Sequence, residues 1–379
     1  MKKIKILFLH YALVCGGAEQ ALFDLVSLMD KDKFDITVMV QCDGGIWEDK
    51  FREAGVKIVS IWDCQKASHN PFVKARNLYK RYCIKRSIRR DGENLVSVAL
   101  EQQFDIVVSY SVWSLYAMSF QKNAKSVKFI HGDVKTNQGY AKAIKNQMAQ
   151  LNKFDRIICV SKAVHQSFME MTGISENTAT HYNPLNSENV KRMSEEDISF
   201  PTDLPIICAV GRLSPEKGYV RLIRIHKQLI EEGIKHRLVI VGEGPDRGNM
   251  EKTIAELHLE NSVTLTGYAS NPYPYMKQSK FVVCSSFTEG LPVIAMESLC
   301  LGVPVVSAVP SIGEIFGKYD CGLITKNDDQ SLADGIRRML MDSDFYAHIK
   351  AGAEERSTFF DGKRMVKEIE DDFIDLIKH

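Results

Sequence analysis

The sequence lacks three patterns that would assign it to a class at once. Its nine cysteines are scattered, with no C-x-x-C pair and no cluster of cysteine and histidine, which argues against a structural metal site or a disulfide framework and suits a reducing compartment. No stretch reaches the roughly 18 apolar residues of a membrane-spanning helix. Short repeats and low-complexity tracts are also missing. We therefore expect a soluble, cytoplasmic protein.

Net charge is also nearly absent, but the charges are unevenly distributed. The 379 residues carry +1 overall, whereas residues 1–189 hold 26 Lys+Arg against 19 Asp+Glu. The segment 73–90 has eight basic residues and no acidic one, a pattern that either an anionic membrane surface or a solvated helix explains. No stacking motif accompanies it, so we expect no nucleic-acid partner and place the protein in the cytoplasm, peripherally at the inner face of the membrane if this segment docks.

The N-terminus, MKKIKILFLHYALVCGG, has the charged start and apolar run of a signal peptide. His10 and Tyr11 interrupt the run, and Val14 before Cys15 is a poor cleavage or lipid-attachment site. The pattern therefore favours a buried first strand.

Short apolar runs alternate with segments of helical length along the whole chain. IKILFLH, FDITVMV, VKIVSIW, FDIVVSY, SVKFIHG and RIICVS form one series; PIICAVGRL, HRLVIVGEG, SVTLTGY, KFVVCSS, PVVSA and CGLIT form a second. Continuous Val/Ile runs are typical of parallel strands covered on both faces. We predict an α/β fold of two Rossmann-like, doubly wound domains facing one cleft, over residues 1–186 and 187–361, with a polar linker at 183–205 and a last helix at 362–379.

Two glycine or basic motifs follow predicted strands, where ligands bind in such sheets. Gly16 and Gly17 precede a helix and would let a ligand approach backbone amides; a tight turn is the alternative. Arg212 and Lys217, in VGRLSPEKG, offer a donor fork and a mobile charge suited to adjacent phosphates. Two solvated surface cations are the alternative.

The stretch SSFTEGLPVIAMES places Glu289 and Glu297 eight positions apart in an apolar run. A carboxylate away from water needs a partner, and sugar hydroxyls are one candidate; capping or bridging within the fold is the other. Pro292 fits the first helical position, so the amides of Gly290 and Leu291 would be available to a diphosphate.

One motif favours a different enzyme class. VGEGPDRG supplies Gly242, Gly244 and Gly248 after a strand, which suggests an NAD(P)-dependent oxidoreductase. Pro245 inside the turn and the position of the strand deep in the second series weaken this hypothesis.

Taken together and in this order, GGAE, VGRLSPEKG, VGEGP and SSFTEGLPVIAMES resemble the retaining family-4 glycosyltransferases of GT-B architecture over most of the chain. The resemblance implies transfer of a sugar from a nucleotide diphosphate donor to an acceptor. It implies an acceptor-side first domain, a nucleotide-sugar-binding second domain, and a last helix, 362–379, that packs back on the first domain. The donor-binding residues that it implies, together with those proposed from the sequence, are Gly16, Gly17, Arg212, Lys217, Tyr268, Glu289, Gly290, Leu291, Pro292 and Glu297.

The resemblance also suggests individual roles. Arg212 and Lys217 would neutralise the diphosphate, and Glu297 would bind the ribose hydroxyls. Glu289 and His131, the latter at the end of a first-domain strand, would act at the reacting centre as the catalytic residues.

We expect no cofactor and no required metal. The two D-x-D sequences, at residues 30–32 and 342–344, lie near expected helix ends, where solvated turns explain them.

The favoured function is a retaining glycosyltransferase that uses a UDP-hexose or UDP-N-acetylhexosamine. Its expected acceptor is a glycan, such as a polyprenyl-linked glycan of surface polysaccharide synthesis. A non-catalytic partner that binds sugar nucleotides is a further alternative to the oxidoreductase.

Overall fold

The computed structural model describes residues 2–14, 16–42, 44–62, 102–110, 121–198 and 203–378, together with Tyr79, Tyr82 and Arg86. The chain divides into two compact units. The first contains Met1–Pro184 and Lys363–His379, and the second contains Leu185–Gly362. Except for those three isolated residues, the basic segment 73–90 lies outside the described residues.

The first unit contains a seven-stranded parallel sheet. Its order is β3-β2-β1-β4-β5-β6-β7. The strands are β1 Ile4–His10, β2 Phe34–Cys42, β3 Lys57–Trp62, β4 Ile106–Ser109, β5 Lys125–Ile130, β6 Arg156–Cys159 and β7 Thr178–Thr180. The predicted first strand is confirmed, and its apolar residues from Ile6 to Leu9 are at most 1% exposed.

The second unit repeats this architecture in a six-stranded parallel sheet. Its order is β10-β9-β8-β11-β12-β13. The strands are β8 Ile206–Val210, β9 Arg237–Val241, β10 Val263–Gly267, β11 Phe281–Cys284, β12 Val305–Ser307 and β13 Gly322–Ile324. The predicted class, two doubly wound α/β sheets, is therefore confirmed.

Helices connect the strands in both units. In the first unit they are Gly17–Leu28, Glu48–Glu53, Gln138–Lys145, Met148–Leu151, Lys162–Thr172 and the C-terminal Gly362–Lys378. In the second they are Ser187–Met193, Tyr219–Glu231, Arg247–Glu256, Tyr273–Lys277, Val293–Cys300, Gly313–Phe316, Asp329–Met341 and Ser343–Ser357, with short 3₁₀ turns at Pro215–Lys217 and Pro310–Ile312. Among the described residues, no helix is both long and apolar enough to cross a bilayer.

The C-terminal helix Gly362–Lys378 packs on the first unit. Its apolar residues Val366, Ile369 and Phe373 are at most 1% exposed. Its acidic residues bind the same unit: a Glu370 oxygen accepts from the Asp30 amide at 2.6 Å, and Asp372 binds Arg156 at 2.9 Å and His181 at 3.1 Å. Apolar burial and these polar contacts thus hold the C-terminal helix on the first unit.

Two short elements differ from the sequence prediction. Strand β7, Thr178–Thr180, has no apolar run to announce it, and only its pairing with β6 makes it a strand. The predicted linker 183–205 contains the helix Ser187–Met193, which the Asn186 side chain caps by accepting from the Asn189 amide. That helix belongs to the second unit.

Candidate active site

Each sheet has one place where the strand order reverses. In the first sheet this lies between β1 and β4, and in the second between β8 and β11. Ligands of doubly wound proteins bind outside the carboxyl ends of the strands at such a point. The predicted motifs lie there: Gly16 follows β1, Arg212 and Lys217 follow β8, and Glu289 follows β11.

In the second unit, Lys217 and Glu289 are joined directly. The Lys217 ammonium lies 2.5 Å from a Glu289 oxygen, and both side chains are mostly buried. The same oxygen accepts a hydrogen bond from the Ser286 hydroxyl at 2.7 Å. The structure thus brings two of the predicted site residues, 72 positions apart, into one charge-assisted contact.

This ion pair holds Lys217 in its charged form. Burial lowers the pKa of Lys217, but the nearby Glu289 charge and its hydrogen bond raise it more, so the net shift of the pKa is upward. A cation that stays protonated at every physiological pH is suited to a developing negative charge.

Glu297 has a different partner. It is 7% exposed in the helix Val293–Cys300, and its carboxylate accepts from the Tyr273 hydroxyl at 3.1 Å. The structure thus shows partners within the protein for both glutamates: Lys217 and Ser286 for the partly buried Glu289, and Tyr273 for the buried Glu297. Both glutamates thus bridge to other residues of the fold, which the sequence left as an alternative.

The loop around Glu289 is packed closely against the segment after β8. The Ser285 hydroxyl donates to the Lys217 carbonyl at 2.8 Å, and the Phe287 amide donates to the Glu216 carbonyl at 2.8 Å. Gly218 lies between them with φ +66°, and a Cβ there would come within 2.4 Å of the Ser285 carbonyl. Only glycine fits this position.

The other predicted donor residues lie at the same edge of the second sheet. Arg212 is exposed. Tyr268 directly follows β10 and is 43% exposed. Gly290, Leu291 and Pro292 are buried. The helix begins at Val293, one residue later than predicted, because Pro292 adopts an extended conformation and occupies the N-cap. Pro292 has no side-chain acceptor to offer the first amides of this helix.

Two glycines of VGEGPDRG, Gly242 and Gly244, allow two loops to pack closely. A Cβ on Gly242 would lie 1.9 Å from the Gly211 carbonyl, and one on Gly244 would lie 2.2 Å from the Leu213 carbonyl. The Leu213 amide in turn donates to the Glu243 carbonyl at 2.9 Å. This close approach explains the pattern without a dinucleotide.

In the first unit, the two N-terminal glycines begin a helix. Gly16 is its N-cap with φ −176°, an extended conformation, and Gly17 is its first residue. The left-handed turn that the sequence left open is therefore wrong for Gly16. Glu19, in the first turn of this helix, lies 3.9 Å from the buried His10 ring.

His131 directly follows β5 in a group of aromatic rings. The Tyr110 ring lies 4.4 Å away, and the Phe129 ring stacks at 5.8 Å. Burial, with smaller contributions from His10 and Lys128, lowers the pKa of His131 to about 3. The imidazole is therefore neutral at physiological pH.

This group contains polar atoms that the rest of the unit leaves unpartnered. Within the part of the chain that the structure describes, both ring nitrogens of His10, the Tyr110 hydroxyl and the His131 Nε2 are buried without a hydrogen-bond partner. Burial also lowers the pKa of His10, to about 4. Buried polar groups in native proteins are almost always paired, so this cluster is a candidate contact for a hydroxyl or water.

Sequence reasoning missed several residues of both sites. Tyr110 and His10 end or follow apolar strands, where they resemble ordinary core residues. Tyr273, in NPYPYMK, has no motif around it. Arg221 resembles a surface arginine on an amphipathic helix, yet it is 6% exposed. An arginine three residues after a strand-to-helix glycine was the available signal.

The two D-x-D sequences make local contacts. Asp30 binds the Lys33 ammonium at 2.7 Å, and Asp342 caps the helix Ser343–Ser357 by accepting from the Phe345 amide at 3.0 Å. The described residues form no group of three or more His, Cys, Asp or Glu with metal-site geometry. Metal independence remains a prediction.

Comparisons with known proteins agree with this geometry. Residues 190–356 match the family described as "Glycosyl transferases group 1", and residues 15–189 match "Glycosyltransferase Family 4". The chain is 28% identical to an N-acetylgalactosamine-N,N'-diacetylbacillosaminyl-diphospho-undecaprenol 4-alpha-N-acetylgalactosaminyltransferase of Campylobacter jejuni, over 97% of this chain and 98% of that protein. It is 23% identical to the lipopolysaccharide core biosynthesis glycosyltransferase LpsD of Rhizobium meliloti, over 98% of each.

Solved structures match over almost the whole chain. HepE of Anabaena in complex with UDP and glucose has a TM-score of 0.76 at 19% identity, over 97% of this chain and 98% of that one. Sucrose-phosphate synthase of Thermosynechococcus elongatus has a TM-score of 0.79 at 16% identity, over 99% of both. At these identities they establish the fold, which is GT-B. With both halves matched by family descriptions, the chain belongs to the family-4 glycosyltransferases.

Proposed function

We propose that this glycosyltransferase is a retaining enzyme that moves a hexose or N-acetylhexosamine from a UDP-sugar to a lipid-linked glycan. The Campylobacter jejuni relative is named for an α-linked transfer to a diphospho-undecaprenol glycan, and HepE was solved with UDP and glucose. Surface polysaccharide synthesis at the inner face of the membrane is the corresponding setting.

The observation that carries the proposal is the Lys217–Glu289 pair after β8 and β11. When the glycosidic bond of the donor breaks, negative charge grows on the departing diphosphate. A fixed cation stabilises that charge more in the transition state than in the ground state. Lys217 is such a cation, and exposed Arg212, five residues earlier, supplies a second.

Donor binding then rearranges this pair. The diphosphate competes with Glu289 for the Lys217 ammonium, and the freed Glu289 carboxylate accepts from a donor sugar hydroxyl. Glu297 accepts from the ribose hydroxyls, and the backbone of Gly290 and Leu291 binds phosphate oxygens. Tyr268 contacts the base through its backbone. None of these steps requires a metal or a cofactor.

The first unit supplies the acceptor side. His131 is neutral, so it can donate one N–H to a sugar hydroxyl without carrying charge. Gly16 and Gly17 leave the start of the helix Gly17–Leu28 accessible to an anion. The basic segment 73–90 attracts anionic lipid headgroups, which would hold the enzyme beside a polyprenyl-linked acceptor.

The donor experiment uses a panel of nucleotides and nucleotide sugars based on UDP, GDP, dTDP and CMP, with thermal unfolding as the readout. UDP compounds are expected to stabilise the protein, by about 2.7 kcal/mol at a hundredfold excess over Kd. Turnover is then followed as nucleotide release, and NMR of the product gives its anomeric configuration. A protein that no nucleotide stabilises would refute the proposal, and an inverted product would refute retention.

Two further measurements test the acceptor and the alternatives. Turnover should require a polyprenyl-diphosphate-linked glycan; donor binding without turnover on any acceptor would favour the non-catalytic sugar-nucleotide partner. Flotation with anionic liposomes should weaken as salt rises. Binding that does not depend on salt would contradict the role of residues 73–90. Stabilisation by NAD(P) alone would revive the oxidoreductase.

A further inference from the structure

A buried arginine lies beside the loop that carries Glu289. Arg221, in the first turn of the helix Tyr219–Glu231, is 6% exposed. Its Nη1 donates to the Asn327 side-chain oxygen at 2.8 Å, and the Phe287 ring lies 4.4 Å from the guanidinium carbon. Asp329 lies 3.9 Å from the same nitrogen, with most of its side chain in solvent.

Asn327 extends this contact to the Glu289 loop. Its side-chain nitrogen donates to the Phe287 carbonyl at 2.9 Å and, more weakly, to the Ser286 carbonyl at 3.5 Å. Arg221 follows β8, Phe287 follows β11 and Asn327 follows β13. The guanidinium therefore joins segments that follow three strands at the carboxyl edge of the second sheet.

The Glu289 loop is thus fastened on both sides. The Phe287 amide donates to the Glu216 carbonyl, and the Phe287 carbonyl accepts from Asn327. Between these two bonds and the helix Val293–Cys300, the loop has little freedom to move Glu289. Positional error of about 1 Å in a reacting site can cost about a hundredfold in rate.

Burying the Arg221 guanidinium at this position costs more free energy than burying an apolar side chain would. Within the described part of the chain, Nε and Nη2 of Arg221 are buried without hydrogen-bond partners, and burial lowers the pKa of this guanidinium. A methionine or leucine would fill the space beneath Phe287 without that cost. Groups that cost stability are typical of functional sites.

We infer that Arg221 is a positioning residue: through Asn327 and Phe287 it holds the 285–289 loop in the geometry that places Glu289 against Lys217 and the donor. This inference deepens the proposed function and rests on it for the identity of the ligand. Arg221 contacts no reacting atom in it.

The test compares Arg221→Met and Asn327→Asp with Arg224→Met. Arg224 is an exposed arginine on the same helix, so its variant controls for loss of a charge. Asp at 327 can still bind Arg221 but cannot donate to the Phe287 carbonyl, and its exposed position spares the fold. The readouts are the Kd of UDP, measured below the unfolding transition, and hydrogen exchange of the amides of residues 286–291.

In Arg221→Met and Asn327→Asp, UDP binding should weaken by about tenfold, which corresponds to one lost hydrogen bond in the site. Hydrogen exchange of residues 286–291 should also become faster. Both results together support the inference. Arg224→Met should match the wild type in both. Wild-type UDP affinity in both test variants, or unchanged exchange of the loop, would overturn it. If the wild-type protein binds no nucleotide, the proposed function fails, and exchange alone decides whether Arg221 and Asn327 hold the loop.

Discussion

The carboxyl edges of the two sheets share a strand order but differ in chemistry. In the second unit the edge carries cations in contact with side-chain partners: Lys217 binds Glu289, and Nη1 of Arg221 donates to Asn327. In the first unit, a cluster of neutral rings, His10, Tyr110 and His131, carries buried polar atoms without partners among the described residues, and the Glu19 carboxylate lies 3.9 Å from the His10 ring. The same architecture thus presents cations at one edge and a cluster of uncharged hydrogen-bonding groups at the other.

Buried histidines sharpen this difference. His226 and His236 of the second unit lie at its amino edge, where His236 precedes β9 and Ser262 precedes β10. His236 Nδ1 donates to the Ile234 carbonyl at 2.8 Å, so its Nε2 accepts from His226 Nδ1 at 2.8 Å, and His226 Nε2 accepts from the Ser262 hydroxyl at 2.9 Å. All four ring nitrogens are satisfied, which identifies a structural pair.

The largest effect on turnover is expected at the carboxyl edge of the second sheet, where Lys217 lies. Lys217→Ala removes the fixed cation and should lower turnover by about a hundredfold, or about 3 kcal/mol of transition-state stabilisation. Lys227→Ala is the matched control, because Lys227 and Glu231 form an ion pair within the helix Tyr219–Glu231, which follows Lys217 in the chain. Steady-state nucleotide release measures both. Wild-type turnover in Lys217→Ala would remove the cation from the mechanism.

The next effect concerns ribose binding. Glu297→Gln should weaken UDP binding by about 2 kcal/mol, because hydrogen bonds to a charged group are worth roughly that much. Tyr273→Phe removes the hydroxyl that donates to this carboxylate and keeps the carboxylate itself, so UDP should bind at least as well. Titration calorimetry checks both variants. Equal losses in the two would show that Glu297 acts only through the fold.

A pH effect of similar size should separate structural from functional histidines. Protonating His236 would set its Nε2–H against the Nδ1–H of His226, and protonating His226 would set its Nε2–H against the Ser262 hydroxyl. Burial lowers the pKa of His226 to about 3 and that of His236 below its ordinary value. The unfolded chain binds these protons near pH 6.5, so the stability contributed by the pair is complete above that pH and is lost as pH falls.

Lowering the pH from 7.5 to 5.5 should reduce the free energy of unfolding by about 2 kcal/mol through this pair. Each histidine contributes up to roughly 1.4 kcal/mol for each pH unit below 6.5. Urea unfolding at both pH values measures this. A His236→Asn variant should lose part of the dependence, whereas His258→Gln, at a helix end, should retain it. Stability that does not fall with acid would contradict the neutral pair.

The smallest effect is expected at the carboxyl edge of the first sheet, where His131 lies. His131→Asn should lower turnover by about fivefold, or about 1 kcal/mol for one neutral hydrogen bond, while the Kd of UDP stays unchanged. Because the pKa of His131 lies near 3, its contribution should not vary between pH 5 and 8. A change in UDP affinity, or a titration near pH 6.5 that disappears in the variant, would break the contrast between the two edges.

The sequence predicted the parts of this molecule that follow from strong local patterns. Apolar runs such as IKILFLH can hardly be placed anywhere but in a covered strand, and the motif order gave the two-unit architecture. It could not predict β7, a strand by pairing alone, or the short helix Ser187–Met193, whose single buried apolar residue, Val190, gives no periodicity.

The contact partners of the site residues were harder to predict than the strands. Glu289 and Glu297 looked unpaired because their partners are distant in the chain: Lys217 is 72 residues away and Tyr273 is 24. Likewise, Arg221 reads as an exposed helical arginine until Asn327, 106 residues later, is brought beside it. Spacing within a motif predicts which side chains reach one edge of a sheet, but pairing across loops depends on the folded geometry.

The C-terminal helix has a consequence for how the protein is made. Its 17 residues are synthesised after the second unit, yet Val366, Ile369 and Phe373 are buried in the core of the first unit. The first unit therefore cannot complete its core until the second unit and this helix have been synthesised. Deletion of residues 363–378 would thus expose the core of the first unit and leave the second unit whole.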